Sequence, residues 1–244
     1  GAEPWAQAST ALKITLALVP PKPKLFDSAT PILRLRSVSK SFGEAGKPVL
    51  EDVELVLHAG QKASLVGPSG SGKSTLLSLV AGLLRPDAGT VEIDGVAISA
   101  LGDRHRAGLR ADRIGIALQS DNLIPFLTAR ENVEMALGFG TRKGRSRALD
   151  LLDRFHVSHR AGHRPRQLSG GEAQRVALAV SMANEPALLL ADEVVAQLDG
   201  QLAARVVTEV LDSDCALLFV THDLALADLV EHRFALEERK VVRR

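Results

Sequence analysis

Only one cysteine, Cys215, occurs in the 244 residues, so an internal disulfide is excluded. It precedes the apolar run Ala216-Leu-Leu-Phe-Val220, and the simplest expectation is a small core residue in a strand, Cys215–Thr221. A lone thiol fits a reducing compartment. Long hydrophobic runs are missing as well: nothing approaches the ~20 apolar residues that a membrane-spanning helix needs. Nor does one sign of charge dominate. Lys+Arg 30 against Asp+Glu 29 leaves a net charge of +1, which excludes a polycation of the nucleic-acid-coating kind. The one local departure is residues 103–166, with 13 Lys/Arg against 7 Asp/Glu and four of the seven histidines. The simplest reading is a solvated helical surface, and the sharper one a face near anionic lipid or an acidic partner. A hydrophobic content of 45% and a charged content of 24% are ordinary for a globular protein. A chain of this length buries a sizeable core in one domain or two tightly joined ones.

Residues 1–31 stand apart from the rest. Ala11–Pro20 is apolar for only about ten positions, and Pro20-Pro21-Lys22-Pro23 then breaks regular structure. The Gly-Ala start suggests a processed or engineered end. A cleaved signal peptide is a weaker alternative, since no convincing cleavage site follows the apolar stretch. The segment is expected to be an extension or linker with no assigned role.

Further along, Ile32–Val38 and Val53–Leu57 alternate apolar and polar residues as half-buried strands do. Lys62–Val66 is expected to be a short strand, and Lys73–Leu84 a helix stopped near Arg85-Pro86. Val91–Ile98 carries an Asp94-Gly95 turn between short β runs, a hairpin signal. From Gln119 to about Val180 the texture becomes helical, with helices expected over Glu131–Leu137, Arg145–Phe155 and Gly171–Ala183. Leu188–Ala191 and Ala216–Val220 read as strands buried on both faces. Helix Leu202–Leu211 lies between them as a crossover, right-handed by the usual rule. No repeat or low-complexity tract is present.

Between the strand at 62–66 and the helix at 73 lies Gly67-Pro68-Ser69-Gly70-Ser71-Gly72-Lys73-Ser74-Thr75, a full match to G-x-x-x-x-G-K-[ST]. Glycines let the backbone wrap a phosphate and aim N–H groups inward, and the helix N-terminus adds partial positive charge. Lys73 is expected to reach the β- and γ-phosphates, Ser74 to ligate Mg²⁺ and Thr75 to bond near the α-phosphate. Asp192 closes the apolar run Leu188-Leu-Leu-Ala191, where such folds place a carboxylate that holds Mg²⁺ through water. These features point to a nucleoside triphosphate as substrate.

A second motif, Leu168-Ser-Gly-Gly-Glu-Ala-Gln-Arg175, lies upstream of Asp192-Glu193. Ser169, Gly170 and Gly171 put a serine and two small residues before a helix starting near Glu172, which makes a second anion site. Together the two motifs resemble the ATP-binding cassette (ABC) ATPases over about residues 32–240. The resemblance implies an α/β fold: a P-loop NTPase (RecA-like) core, an N-terminal antiparallel β region and an inserted all-helical subdomain at about 120–180. It implies that Glu193 polarises the attacking water and that His222, in Phe219-Val-Thr-His-Asp223, contacts the γ-phosphate. Gln119 matches the glutamine loop that touches Mg²⁺ or water, with residues 120–133 facing a membrane subunit. Phe42 occupies the adenine-stacking position, usually tyrosine, and this chain has no tyrosine. Ser169–Gly171 would close over the γ-phosphate held by a second cassette, and Asp199 matches the loop that crosses between the two.

The implied function is ATP hydrolysis that closes and opens a cassette dimer, homo- or heterodimeric, and energises a separate integral membrane permease. The location implied is the cytoplasmic face of the inner or plasma membrane, peripheral through that partner, with no nucleic acid involved. Gln119 and Asn122–Val133 most resemble the lipoprotein-release, macrolide-export and cell-division subgroup. An end about 20 residues after His222 leaves no room for a C-terminal regulatory domain, which favours the same subgroup. The alternative is a non-transport ABC ATPase that signals across the membrane to cell-envelope or cell-division enzymes. A soluble cassette acting on DNA or ribosomes is disfavoured because the long insertions or second cassette usual there are missing. Residues 168–172 argue against a small-molecule P-loop kinase. The chain departs from the family pattern at Val194-Val195 (usually Pro-Thr), Val180 (often Arg), Ala173 (often Gln) and Glu172, a common variant of Gln. These departures bear on turnover rate and dimer-interface polarity.

Overall fold

The computed structural model describes residues 30–43, 46–117, 123–138, 142–192, 200–222 and 224–244, with 142, 143, 200–204 and 225 described by backbone only. Expectations for Gln119, Glu193, Asp199 and the extension up to residue 29 lie outside the described residues.

Two sheets form the frame. Strands β1 (Pro31–Phe42), β2 (Lys47–His58), β4 (Ala88–Ile93) and β5 (Val96–Ala97) make an antiparallel sheet in the order β2-β1-β4-β5. The β4–β5 connection is the expected hairpin: Asp94 and Gly95 both have positive φ, 49° and 74°, as a type I′ turn requires. The second sheet runs β10-β9-β3-β8-β7-β6, from β3 (Lys62–Val66), β6 (Ile114–Ala117), β7 (Leu188–Asp192), β8 (Ala216–Val220), β9 (His232–Glu237) and β10 (Lys240–Arg243). All its pairings are parallel except β9 with β10.

Side-chain alternation explains why β7 and β8 are continuously apolar. Leu188 and Leu190 of β7, with Ala216, Leu218 and Val220 of β8, join the core shared with the antiparallel sheet and helix α1 (Lys73–Val80). Leu189, Ala191 and Leu217 point the other way. They join a second core containing Val133 of α3 (Ala129–Ala136), Leu152 of α4 (Arg142–Arg154), Val176 of α5 (Gly170–Ser181) and Val206 of α6 (Gly200–Leu211). A strand buried on both faces has no polar side to present. Buried Cys215 belongs to the second core, one residue before β8 and outside it.

Several boundaries differ from the expectations. Helix α1 stops at Val80 rather than Leu84, because Gly82 takes φ +63° and Leu83 and Leu84 return their N–H groups to Ser78 O. Such a left-handed glycine terminates helices. Strand β8 spans Ala216–Val220, so His222 follows the strand by two residues instead of ending it. Helix α5 begins at Gly170, not near Glu172, because Ser169 is its N-cap. Helix α2 (Asp103–Arg113), with no buried residue, has too little apolar periodicity to be read from sequence. Strands β9 and β10 and the short helix α7 (Leu224–Ala227) were also missed.

Candidate active site: a phosphate cleft on the parallel sheet

The glycine loop leaves the carboxyl end of β3, a central strand, and runs into α1, placing it where α/β sheets bind ligands. Gly72 is the N-cap of α1 with φ +107°, and a Cβ there would lie 2.9 Å from Val49 Cγ1 and 3.2 Å from Val49 O. No side chain caps α1 and no acidic residue sits in its first turn. Its free N–H groups and positive end therefore face the loop. Helices α3 and α5 are built differently, for each starts with a complete capping box, Thr128 with Glu131 and Ser169 with Glu172. The contrast fits α1 as the helix kept open for an anion.

An open cleft of about 540 Å³ is lined by Phe42, Val49, Gly67, Ser69, Gly70, Gly72, Lys73, Ser74, Thr75, Asp192 and His222. The end of β1, strand β2, the glycine loop with α1, the end of β7 and the segment after β8 thus converge on one site. Lys73 Nζ donates to Gly67 O and Pro68 O, both at 2.8 Å, so its ammonium already lies inside the loop. Ser74 Oγ donates to Asp192 Oδ2 at 3.2 Å, joining the first turn of α1 to the end of β7. Ser71 Oγ is buried with no hydrogen-bond partner among the described residues. Pro68 and Ser71 line the adjoining cleft with Gly70.

Phe42 is 44% exposed, at the rim of the cleft. Lys40 Nζ sits 5.4 Å from the ring centroid, and Asp87 holds both Lys40 Nζ and Ser41 N at 2.7 Å. These bonds pull the Asp87 carboxyl below its usual pKa. Val49 is the lining residue that sequence reasoning missed. It is an ordinary strand valine, and only its packing against Gly72 reveals its position.

Ser169, Gly170 and Gly171 do not line this cleft. Ser169 Oγ accepts from Glu172 N at 3.3 Å while the Glu172 carboxylate accepts from Ser169 N at 2.8 Å. Glu172 also receives Arg160 Nε at 2.8 Å. The Ser169 amide first and Arg160 second lower its pKa to about 2. The chain therefore carries one uncapped helix start, which opens on the glycine-loop cleft, and one capped start that lies outside it.

A glycine loop on a central parallel strand, a helix start kept open and a carboxylate at the end of β7, two strands over, define a P-loop nucleotide hydrolase. The chain's residues 50–196 match the family model described as ABC transporter. It is 44% identical over 223 residues to a lipoprotein-releasing system ATP-binding protein of Rhodopirellula baltica, covering 87% of this chain and 97% of that one. A similarly named protein of Nitrobacter winogradskyi is 41% identical over 222 residues, covering 87% and 96%. A solved dimer of the ATP-binding cassette MJ0796 with ADP and Pi superposes with a TM-score of 0.82 at 36% identity, covering 87% of this chain and 97% of that one. The chain belongs to the ABC transporter ATPase family. It is an ATP-binding, ATP-hydrolysing subunit of a transporter-type system, and cassettes of this family form dimers.

Proposed function

We propose that this cassette drives a separate membrane permease in a lipoprotein-release type of system, through ATP-dependent closure of a cassette dimer. The observation that carries the reading is that the two motif-bearing helix starts lie apart on one chain. Lys73, Ser74 and Asp192 converge in one cleft, while the Ser169 helix start lies outside it. In this reading the Ser169 start receives phosphate, and because it does not line the chain's own cleft its ligand is held by another copy. The names of relatives matched over almost their whole length support the cargo class. No specific observation favours the signalling alternative.

In this reading adenine stacks on Phe42. The amides of Gly67, Pro68, Ser69, Gly70, Ser71 and Gly72, with Lys73 and Thr75, cradle the phosphates. Ser74 and Asp192 offer a hydroxyl and a carboxylate close together, hard oxygen donors that suit Mg²⁺, with Gln119 as a further contact. Bound there, the ion would neutralise charge on the phosphate oxygens. Glu193 accepts the proton of the attacking water, and His222 contacts the γ-phosphate from the end of the adjacent strand. Ser169, Gly170 and Gly171 close on the γ-phosphate held by the partner copy.

The cassette then works at the cytoplasmic face of the membrane, held by its permease through the region around 120–133. Among the described residues no helix is long and apolar enough to cross a membrane. The domain reading stays as proposed: an extension over 1–31 and a cassette over 32–244, with its helical subdomain at about 120–180. Two measurements test this. Glu193→Gln should bind ATP, lose most hydrolysis and accumulate as an ATP-dependent dimer by light scattering, and full hydrolysis in that variant contradicts the assignment. Reconstitution with a permease that copurifies with the cassette should give ATP-dependent release of a lipid-modified protein, and ATPase stimulation without release would remove that cargo.

A further inference from the structure

The start of α5 combines two opposing charges. Ser169–Gly171 form a helix N-terminus suited to an anion, yet Glu172 places a carboxylate within the same first turn. A phosphate arriving there meets a like charge unless that carboxylate is neutralised. Glu172 Oε2 accepts from Ser169 N at 2.8 Å, an uncharged donor. Glu172 Oε1 accepts from Arg160 Nε at 2.8 Å, and His159 Nε2 lies 3.5 Å from the same oxygen. His159 is exposed and carries charge only when protonated, whereas Arg160 is always a cation.

Arg160 is also held in place. Its own N–H donates to Val157 O at 3.0 Å, and Val157 is fully buried. Around it, Ala129 N donates to His163 O at 2.8 Å and Arg130 N to Ala161 O at 3.0 Å, tying the turn to the start of α3. Arg160 Nη1 lies 3.4 Å from His163 Nε2. A guanidinium on a braced turn keeps its orientation better than one on a free loop.

We infer that Arg160 is a positioning and charge-cancelling residue for the Ser169 site: it neutralises Glu172 so that the α5 N-terminus can accept a γ-phosphate held by a second copy of the cassette. This rests on the in-trans reading of Ser169 given above. With Arg160 gone, the Glu172 charge opposes the incoming phosphate. Replacing Glu172 by the isosteric amide removes that charge while an amide oxygen still accepts from Ser169 N. The two substitutions therefore interact, and the double variant outperforms Arg160→Ala.

The test is a double-mutant cycle in the full chain, reading steady-state ATPase and the affinity of the monomer for a fluorescent ATP analogue. Arg160→Ala should lower the ATPase rate roughly tenfold, the scale of a lost charged hydrogen bond, with monomer affinity unchanged. Arg160→Lys should retain more activity than Arg160→Ala because the charge remains. Arg160→Ala/Glu172→Gln should return to within about threefold of Glu172→Gln alone, the coupling expected of groups in contact. Thermal melts identify any variant that has unfolded, and Arg160→Gln then replaces Arg160→Ala. An unaffected Arg160→Ala rate, or a double variant no faster than Arg160→Ala, overturns the inference. Ser169→Arg in the same series separates the two levels: full hydrolysis in that variant means that the in-trans reading has failed, independently of Arg160.

Discussion

Ser74 and Asp192, separated by 118 positions in the chain, meet at 3.2 Å through a hydroxyl-to-carboxylate hydrogen bond. The contact spans the junction of α1 and β7, the place where the proposed Mg²⁺ site lies. Ser74→Ala removes one donor oxygen and Asp192→Asn removes the charge. Both should raise the Mg²⁺ concentration needed for half-maximal ATPase activity and lower the maximal rate at least tenfold, the scale of losing a charge-stabilising contact. A Mg²⁺ titration of activity checks this, and an unchanged midpoint in both variants removes the pair from the metal site.

Gly72→Ala should destabilise the cassette and weaken nucleotide binding together. The position has φ +107°, and the added Cβ would lie 2.9 Å from Val49 Cγ1 and 3.2 Å from Val49 O. Left-handed strain and crowding together predict a loss of about 1–3 kcal/mol. Val49→Ala in the same chain should recover only part of it, since neither the φ nor the backbone contact changes. Urea denaturation reads the stability, and full recovery by Val49→Ala would leave backbone strain without a role.

Acid should weaken the fold through Glu172. Its pKa falls from the ordinary 4.5 to about 2 in the folded state, because Ser169 N and Arg160 favour the charged form. A depressed carboxylate stabilises the folded state above its unfolded pKa and loses that contribution as pH falls through the folded one. Wild-type stability should therefore fall between pH of about 4.5 and about 2, with Glu131 and Asp87, shifted in the same direction, adding to the loss. Glu172→Gln should show a shallower fall over that window by thermal melting, and an identical profile would contradict the assignment.

Much of this site was legible in the residues because it is local in sequence. The loop from Gly67 to Thr75 declares its chemistry through spacing alone, and β7 and β8 stand out because strands buried on both faces need unbroken apolar runs. Ser169 was read as a helix start from its type and its neighbours. What stayed hidden depends on distant packing. Val49 has no chemical signature, and its place in the cleft follows from β2 lying against Gly72. Arg160 sits in a basic stretch that composition alone reads as solvated surface, and only its 2.8 Å bond to Glu172 distinguishes it. Helix α2 lacked an apolar face to reveal it, and β9 and β10 were passed over at the end of the chain. Helix α1 ends before the Arg85-Pro86 stop signal because Gly82, a glycine among apolar residues, takes a left-handed turn that its neighbours do not announce.

The central claim is that one chain holds the nucleotide and another completes its site. Ser169→Arg puts a bulky cation at the α5 N-cap, away from the cleft lined by Lys73, Ser74 and Asp192. Titration of this variant with a fluorescent ATP analogue, paired with light scattering in ATP, tests the claim most directly. The account predicts near wild-type affinity in the monomer with no ATP-dependent dimer and no hydrolysis. Loss of monomer binding in Ser169→Arg would contradict it, because Ser169 would then belong to the chain's own nucleotide site.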